Sequence, residues 1–274
     1  GRVANRIKDA CYFMNGRKFE LIPNQPYGML HGGPEGFAYR SFDIVKRNSR
    51  SVLLRLFSPD GDQGFPGNVT TDVLYTMETP GELTIRYCAK TDFDTPVNLT
   101  NHMYFNLDGH ASGPVDGHTL RLAARRYTPT DDDLIPTGKI EPVSGTLLDF
   151  TQERRLGPSL RAPEHSVTKG LDHNFVLNAA CADGEEPAAV LRAARSGITM
   201  TVLTDRPAMQ VYGSGALTPR TGKDGTFYTP FQAVCLETQG YPDALHHFNF
   251  PSIMLKAGEI FESFTTYRFS AGED

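Results

Sequence analysis

Val73-Leu74-Tyr75-Thr76-Met77 and Leu83-Thr84-Ile85-Arg86-Tyr87 are short runs in which β-branched or aromatic residues recur at every second position. Successive side chains of a strand point to opposite faces, so a period of two marks a strand with one face toward a core. Ile198-Thr199-Met200-Thr201-Val202 repeats the pattern. Further runs occur at Ser51 to Phe57, Thr119 to Ala123, Ala233 to Glu237, Ile253 to Leu255 and Phe264 to Phe269. The 26 Gly and 19 Pro supply the turns between them. No stretch keeps a 3.6-residue apolar stripe over three turns. The pattern therefore predicts an all-β sandwich with long loops, a single domain over residues 1–274, without internal repeats or a linker to divide it.

Composition bounds what such a chain does. With 274 residues, 39% hydrophobic and 22% charged, it falls in the ordinary soluble class and is long enough to bury a sizeable core. Its net charge of −5 comes without a basic run, which argues against nucleic acid and anionic membranes as partners. Apolar stretches end far short of the roughly 20 residues that cross a bilayer. The four cysteines, Cys11, Cys88, Cys181 and Cys235, are scattered and form no C-x-x-C pair, so free thiols in a reducing, cytoplasmic compartment are expected. The chain opens on Gly1-Arg2-Val3 without an initiator Met, which leaves a removed upstream segment, a signal peptide included, open.

Four places carry polar chemistry. In Asn98 through Leu107, alternation sets Asn98, Thr100, His102 and Tyr104 on one strand face. Hydrogen-bonding groups beside rings suit a sugar, whose hydroxyls need partners and whose C–H face packs on aromatics; a solvated edge strand reads equally well. Ala233-Val234-Cys235-Leu236-Glu237-Thr238-Gln239 is apolar enough to be a central strand yet ends in a carboxylate. Half-desolvation raises such a group toward the range of a general base, whereas a Glu turned to water is the commoner outcome. In Met29-Leu30-His31-Gly32-Gly33 the glycines allow close backbone approach to a ligand. In Gly170-Leu171-Asp172-His173 a turn places Asp172 just ahead of an apolar strand, where it serves a ligand or caps the turn. The eight His, His246-His247 among them, match no metal-ligand spacing, so no metal is expected. The stretch Ser58 to Gly64 lacks the Lys of a phosphate loop, and no Ser nucleophile elbow is present.

Taken together, Gly1-Arg2-Val3-Ala4-Asn5-Arg6-Ile7, Leu30-His31-Gly32-Gly33, Ser58-Pro59-Asp60-Gly61 with Gly64-Phe65-Pro66-Gly67, Asn98 through Leu107, Leu171-Asp172-His173, and Leu236-Glu237-Thr238-Gln239 with Tyr241-Pro242-Asp243-Ala244 resemble the galactose mutarotase (aldose 1-epimerase) family. The motifs run in order along essentially the whole chain. The resemblance implies a large twisted antiparallel β-sandwich, the galactose mutarotase-like supersandwich, here lacking its N-terminal strands ahead of Gly1-Arg2. It implies an isomerase that interconverts the α and β anomers of free hexoses such as D-galactose and D-glucose, without a cofactor. Glu237 matches the general base at the anomeric hydroxyl and His102 the general acid at the ring oxygen, an ionised carboxylate facing a protonated imidazole. Arg6, Asn5, His31, Asp172 and Gln210 match substrate-binding positions, while His173 and Arg2 match supporting ones. The expected partner is a small-molecule hexose, and the expected assembly a monomer or weak homodimer. Two rivals stand beside this reading: a glycoside hydrolase pairing Glu237 with Asp172, and a non-catalytic sugar-binding module, in which the acid or base would be replaced. A hexose-6-phosphate epimerase would need an Arg or Lys cluster, which the sequence does not display.

Overall fold

Alternating runs become a sheet when their apolar positions fall in register. In a computed structural model, which describes residues 1–272, Ser51–Ser58, Val69–Thr76 and Glu82–Thr91 are consecutive antiparallel strands. Leu54 pairs Val73, which pairs Tyr87, and Leu56 pairs Thr71, which pairs Ala89. Cross-strand partners share a face, and Leu56, Val73, Tyr87 and Ala89 are buried together. The opposite face carries Arg55 against Asp72, a solvated ion pair that contributes little. The edge strand Asp43–Arg47 is exposed throughout, bears Lys46 and Arg47, and shifts register between Ile44 and Lys46. A charged, bulged edge resists pairing with another chain.

The described chain is nearly all β, 41% strand and 8% helical, with no helix long and apolar enough to cross a membrane. All four cysteines are free. The chain packs as two compact units, one of residues 1–100, 135–138 and 239–266, the other of residues 101–134, 139–238 and those from 267 onward. The longest strand, Ile260–Ala271, passes from the first to the second.

Within the first unit, Arg6–Lys8 pairs with Gly28–Leu30, and Cys11–Met14 forms a hairpin with Arg17–Glu20. Val3, Ile7, Tyr12, Phe19, Met29 and Phe65 form its apolar cluster. A guanidinium sits among these groups. Arg2 is 2% exposed and donates to Ser58 Oγ and O, Pro59 O, Pro66 O, Gly67 O and Thr95 Oγ1 at 2.8–3.4 Å. Arg2 thereby gives buried carbonyls of the Ser58–Gly67 loop, Pro66 O and Gly67 O among them, a hydrogen-bond donor. Burial pulls its pKa down to about 10, against the pull of Asp62, and it stays charged at neutral pH. The supporting role expected of Arg2 is thus structural.

Strands of two larger sheets fall in the second unit. One runs Arg154–Arg155, Thr119–Leu122, Ala189–Arg192, Ile198–Thr204. The other runs Glu141–Pro142, Ala124–Thr128, Asp172–Leu177, Ala208–Tyr212, Cys235–Gln239. Leu120, Leu122, Leu191, Met200 and Val202 of the first, and Phe175, Met209, Val211 and Leu236 of the second, are all buried.

Two sequence expectations change here. The run Thr119 to Ala123 ends as a strand at Leu122. Ala123 then bonds Ala188 through its N–H and Asn178 through its carbonyl, a step from one sheet to the other that local pattern does not encode. Residues 98–107 form no ladder strand, their only β-bridges among the described residues being Val3–Asn98 and Phe105–Val234. An alternating run makes a ladder only where another backbone lies alongside. Asn98 is spent inside the first unit, where its side chain donates to Gly240 O and accepts from Gly240 N–H.

Replacing Arg2 by Lys or Met should leave several buried carbonyls unsatisfied, each costing roughly 1–3 kcal/mol. Thermal unfolding followed by circular dichroism should show Tm lowered by at least about 5 °C; an unchanged Tm would remove Arg2 from the scaffold.

Candidate active site

Pairing decides which side chains of the second unit converge. Asp172 pairs with Tyr212, Asn174 with Gln210 and Val176 with Ala208, so Asp172, Asn174, Gln210 and Tyr212 share a face. His173, Phe175, Met209 and Val211 point to the other face and are buried. Gly170 makes the turn that delivers Asp172. Its φ is +104°, and a Cβ there would lie 2.3 Å from Leu160 O, so only Gly fits. Gln210 Nε2 donates to Asp172 Oδ1 at 2.6 Å. Its Oε1 is buried with no hydrogen-bond partner among the described residues.

The neighbouring strand Cys235–Gln239 is buried along its whole length. Val234, Cys235 and Leu236 are apolar anchors that carry Glu237 inward, where it is 2% exposed. Glu237 Oε1 lies 3.6 Å from His102 Nε2, and the His102 side chain keeps a third of its surface. The His102 ring stacks on Tyr104, centroids 5.0 Å apart and 13° from parallel. Tyr212 meets both rings edge-on, at 6.0 Å from His102 and 6.3 Å from Tyr104. The result is a carboxylate and an imidazole flanked by an aromatic shelf, with an amide one strand away and a second carboxylate two strands away.

Burial sets the protonation states. It lowers the His102 imidazole below the ordinary 6.5, which favours the neutral ring near pH 7. Burial pushes the Tyr212 phenol up to about 12 and raises that of Tyr104 as well, which keeps both as hydroxyl donors. The Cys235 thiol, raised by burial and then by Glu237 and Asp172, is inert packing.

Asn5, Arg6 and His31 come together inside the first unit. Asn5 adopts the left-handed region at φ 58° and His31 at φ 50°. The Asn5 N–H donates to His31 Nδ1 at 3.1 Å, and the His31 N–H donates to Asn5 O at 2.9 Å. Because Nδ1 accepts, the proton of a neutral His31 ring is on Nε2. Asn5 Oδ1 accepts the Arg6 N–H at 2.9 Å, and Arg6 pairs with Leu30. The seven candidates thus fall into two groups, Asn5, Arg6 and His31 in one unit and His102, Asp172, Gln210 and Glu237 in the other. Tyr212 escaped the sequence reading, although it follows Gln210 by two positions in a strand and so had to share its face.

His173 supports the site from behind. It accepts the Asp172 N–H at Nδ1 and packs on His165, ring centroids 4.7 Å apart. Burial, and then the His165 neighbour, lower its pKa to about 3. The unfolded chain takes up that proton near 6.5 and the folded chain does not, so stability is lost as pH falls below about 6.5 and is unaffected above it. The His173 share is at most about 1.4 kcal/mol per pH unit. Urea unfolding at pH 7 and pH 5 should therefore show a steeper acid loss for wild type than for His173→Gln; parallel losses would refute a neutral buried imidazole.

A family model described as aldose 1-epimerase matches residues 1–268. The aldose 1-epimerase of Escherichia coli K12 is 40% identical over 276 residues, spanning 99% of this chain and 79% of that protein. Galactose mutarotase of Homo sapiens is 38% identical over 271 residues, 98% and 77% of the two chains. Among solved structures, a GalM/aldose epimerase homologue from C. elegans superposes with a TM-score of 0.89 at 30% identity, covering 100% of this chain and 82% of that one. The galactose 1-epimerase of Lactobacillus acidophilus NCFM superposes with a TM-score of 0.86 at 27% identity, covering 100% and 79%.

Proposed function

The chain belongs to the aldose 1-epimerase family and is a mutarotase, and we propose that it turns over free hexoses such as D-galactose and D-glucose with Glu237 as base and His102 as acid. The observation that carries this assignment is the buried Glu237 carboxylate 3.6 Å from an imidazole nitrogen. Opening a hemiacetal requires one proton removed from the anomeric hydroxyl and one delivered to the ring oxygen. Glu237 takes the first and His102 gives the second as the bond from C1 to O5 breaks. The open aldehyde rotates about C1–C2 and closes on its other face, with each group reversing its transfer. Protons balance over the cycle, so the two groups complete the reaction by themselves.

A neutral resting His102 adds a requirement. The imidazole must gain a proton before it can donate one, and the Glu237 carboxylate beside it is the charge that stabilises the imidazolium. The two therefore titrate as a pair. Tyr104 and Tyr212 offer ring faces to the sugar C–H surface. The buried Gln210 Oε1 is an acceptor that a sugar hydroxyl would satisfy, beside Asp172, which accepts from Gln210. Asn5, Arg6 and His31 are assigned to the remaining hydroxyls, Arg6 and the His31 Nε2–H as donors to oxygen that gains charge during opening.

Polarimetry of fresh α-D-galactose and α-D-glucose should show accelerated decay of optical rotation. Glu237→Gln and His102→Asn should each lower kcat by about 10²–10⁴-fold with KM changed far less; comparable losses in both parameters would count against the acid and base roles. The pH profile of kcat/KM should be bell-shaped, falling on the acid side as the carboxylate is protonated and on the basic side as the acid loses its proton. In His102→Asn the basic limb should disappear, and its persistence would place the acid elsewhere. Sugar release from an aryl galactoside would instead favour glycoside hydrolysis.

A further inference from the structure

Among the described residues, strand Arg6–Lys8 has a ladder partner on one edge only. Asn5 and Asp9 bond the Gly28–Leu30 side, through His31 N–H to Asn5 O and Asp9 N–H to Tyr27 O. In a strand, residues two apart present N–H and C=O to the same edge, so Arg6 and Lys8 face the other way. There a single residue stands where a strand would. The Asp243 N–H donates to Arg6 O at 3.0 Å, and Asp243 Oδ1 accepts the Lys8 N–H at 2.9 Å. One donor and one acceptor are what an antiparallel neighbour supplies.

Asp243 is itself held firmly. Its carboxylate has no exposed surface; Oδ1 meets His246 Nδ1 at 2.6 Å, and Oδ2 lies 3.4 Å from His247 Nε2. His247 Nε2 is also 3.0 Å from Pro136 O. The backbone of Asp243 sits in the left-handed region at φ 54°, a conformation that persists only where the surroundings impose it. Nothing in the assigned chemistry uses this buried residue, yet it clamps the strand on both sides of Ile7, its own N–H on Arg6 O and its carboxylate on the Lys8 N–H.

We propose that Asp243 is a positioning residue for the epimerase reaction: it replaces a missing β-strand along Arg6–Lys8 and so fixes where the Arg6 guanidinium meets the sugar. The proposal rests on the role given to Arg6 above. What it requires of Asp243 is a hydrogen-bond acceptor of that length, not its charge. Asn supplies such an acceptor at Oδ1, the atom that both the Lys8 N–H and His246 Nδ1 meet, so Asp243→Asn should preserve function where Asp243→Ala does not.

The test is a double-mutant cycle on mutarotation kinetics, each variant normalised to its folded fraction. Asp243→Ala should lower kcat/KM for galactose by about tenfold or more, Asp243→Asn by less than about threefold, and Asp243→Ala in an Arg6→Ala background by less than about twofold further. A purely structural role would change Tm but leave the normalised constants alone. Full additivity with Arg6→Ala, no loss in Asp243→Ala, or an Asn variant as impaired as the Ala variant would each overturn the proposal. Should Asp243→Ala not fold, Asp243→Ser, whose hydroxyl is too short to reach Lys8, takes its place in the cycle. Wild-type kinetics in Arg6→Ala would sink the Arg6 assignment and this proposal together, whereas a damaging Arg6→Ala beside a silent Asp243→Ala sinks this proposal alone.

Discussion

A carboxylate that is 2% exposed in the last strand of a sheet is a costly thing to fold around, and the chemistry follows from how that cost is met. Transferring a charge out of water is repaid only by partners placed in advance. Glu237 has an imidazole at 3.6 Å, and that imidazole is in turn pressed toward neutrality by the same burial. An imidazole that burial presses toward neutrality, beside a buried carboxylate whose proximity favours its charged form, is poised to pass a proton. The strand can bear the strain because Val234, Cys235 and Leu236 bury apolar surface beside it.

Rigidity is supplied differently in the two units. In the second, the ladder between Asp172–Leu177 and Ala208–Tyr212 sets the spacing of Asp172, Gln210 and Tyr212 to within a strand repeat. Groups carried by a sheet move little relative to one another. In the first, Asn5 and His31 stand in left-handed loop conformations and depend on reciprocal hydrogen bonds for their geometry. Two buried charges, Arg2 and Asp243, take over there the work that a ladder does elsewhere. Each satisfies backbone groups that would otherwise be stranded, and each lies in a motif that resembles the family's.

Most strands were legible because period-two alternation is a local property, as the register of Leu54, Val73 and Tyr87 shows. Residues 98–107 alternate just as well and form no strand, since a ladder needs a neighbour that alternation cannot see. Thr119 to Ala123 hides a step between two sheets for the same reason. Tyr212 shares a face with Gln210 by period two, but only its cross-strand pairing with Asp172 shows that this face belongs to the site.

The amino-acid sequence alone determined the β class, the family and the identity of the acid and base candidates, because side-chain period and motif order are written along the chain. Only tertiary structure decided that Glu237 is buried, that His102 stands beside it where burial favours the neutral ring, and that Arg2 and Asp243 are buried rather than surface groups. Burial and proton affinity depend on what surrounds a group, and those surroundings are assembled from residues far away in the chain.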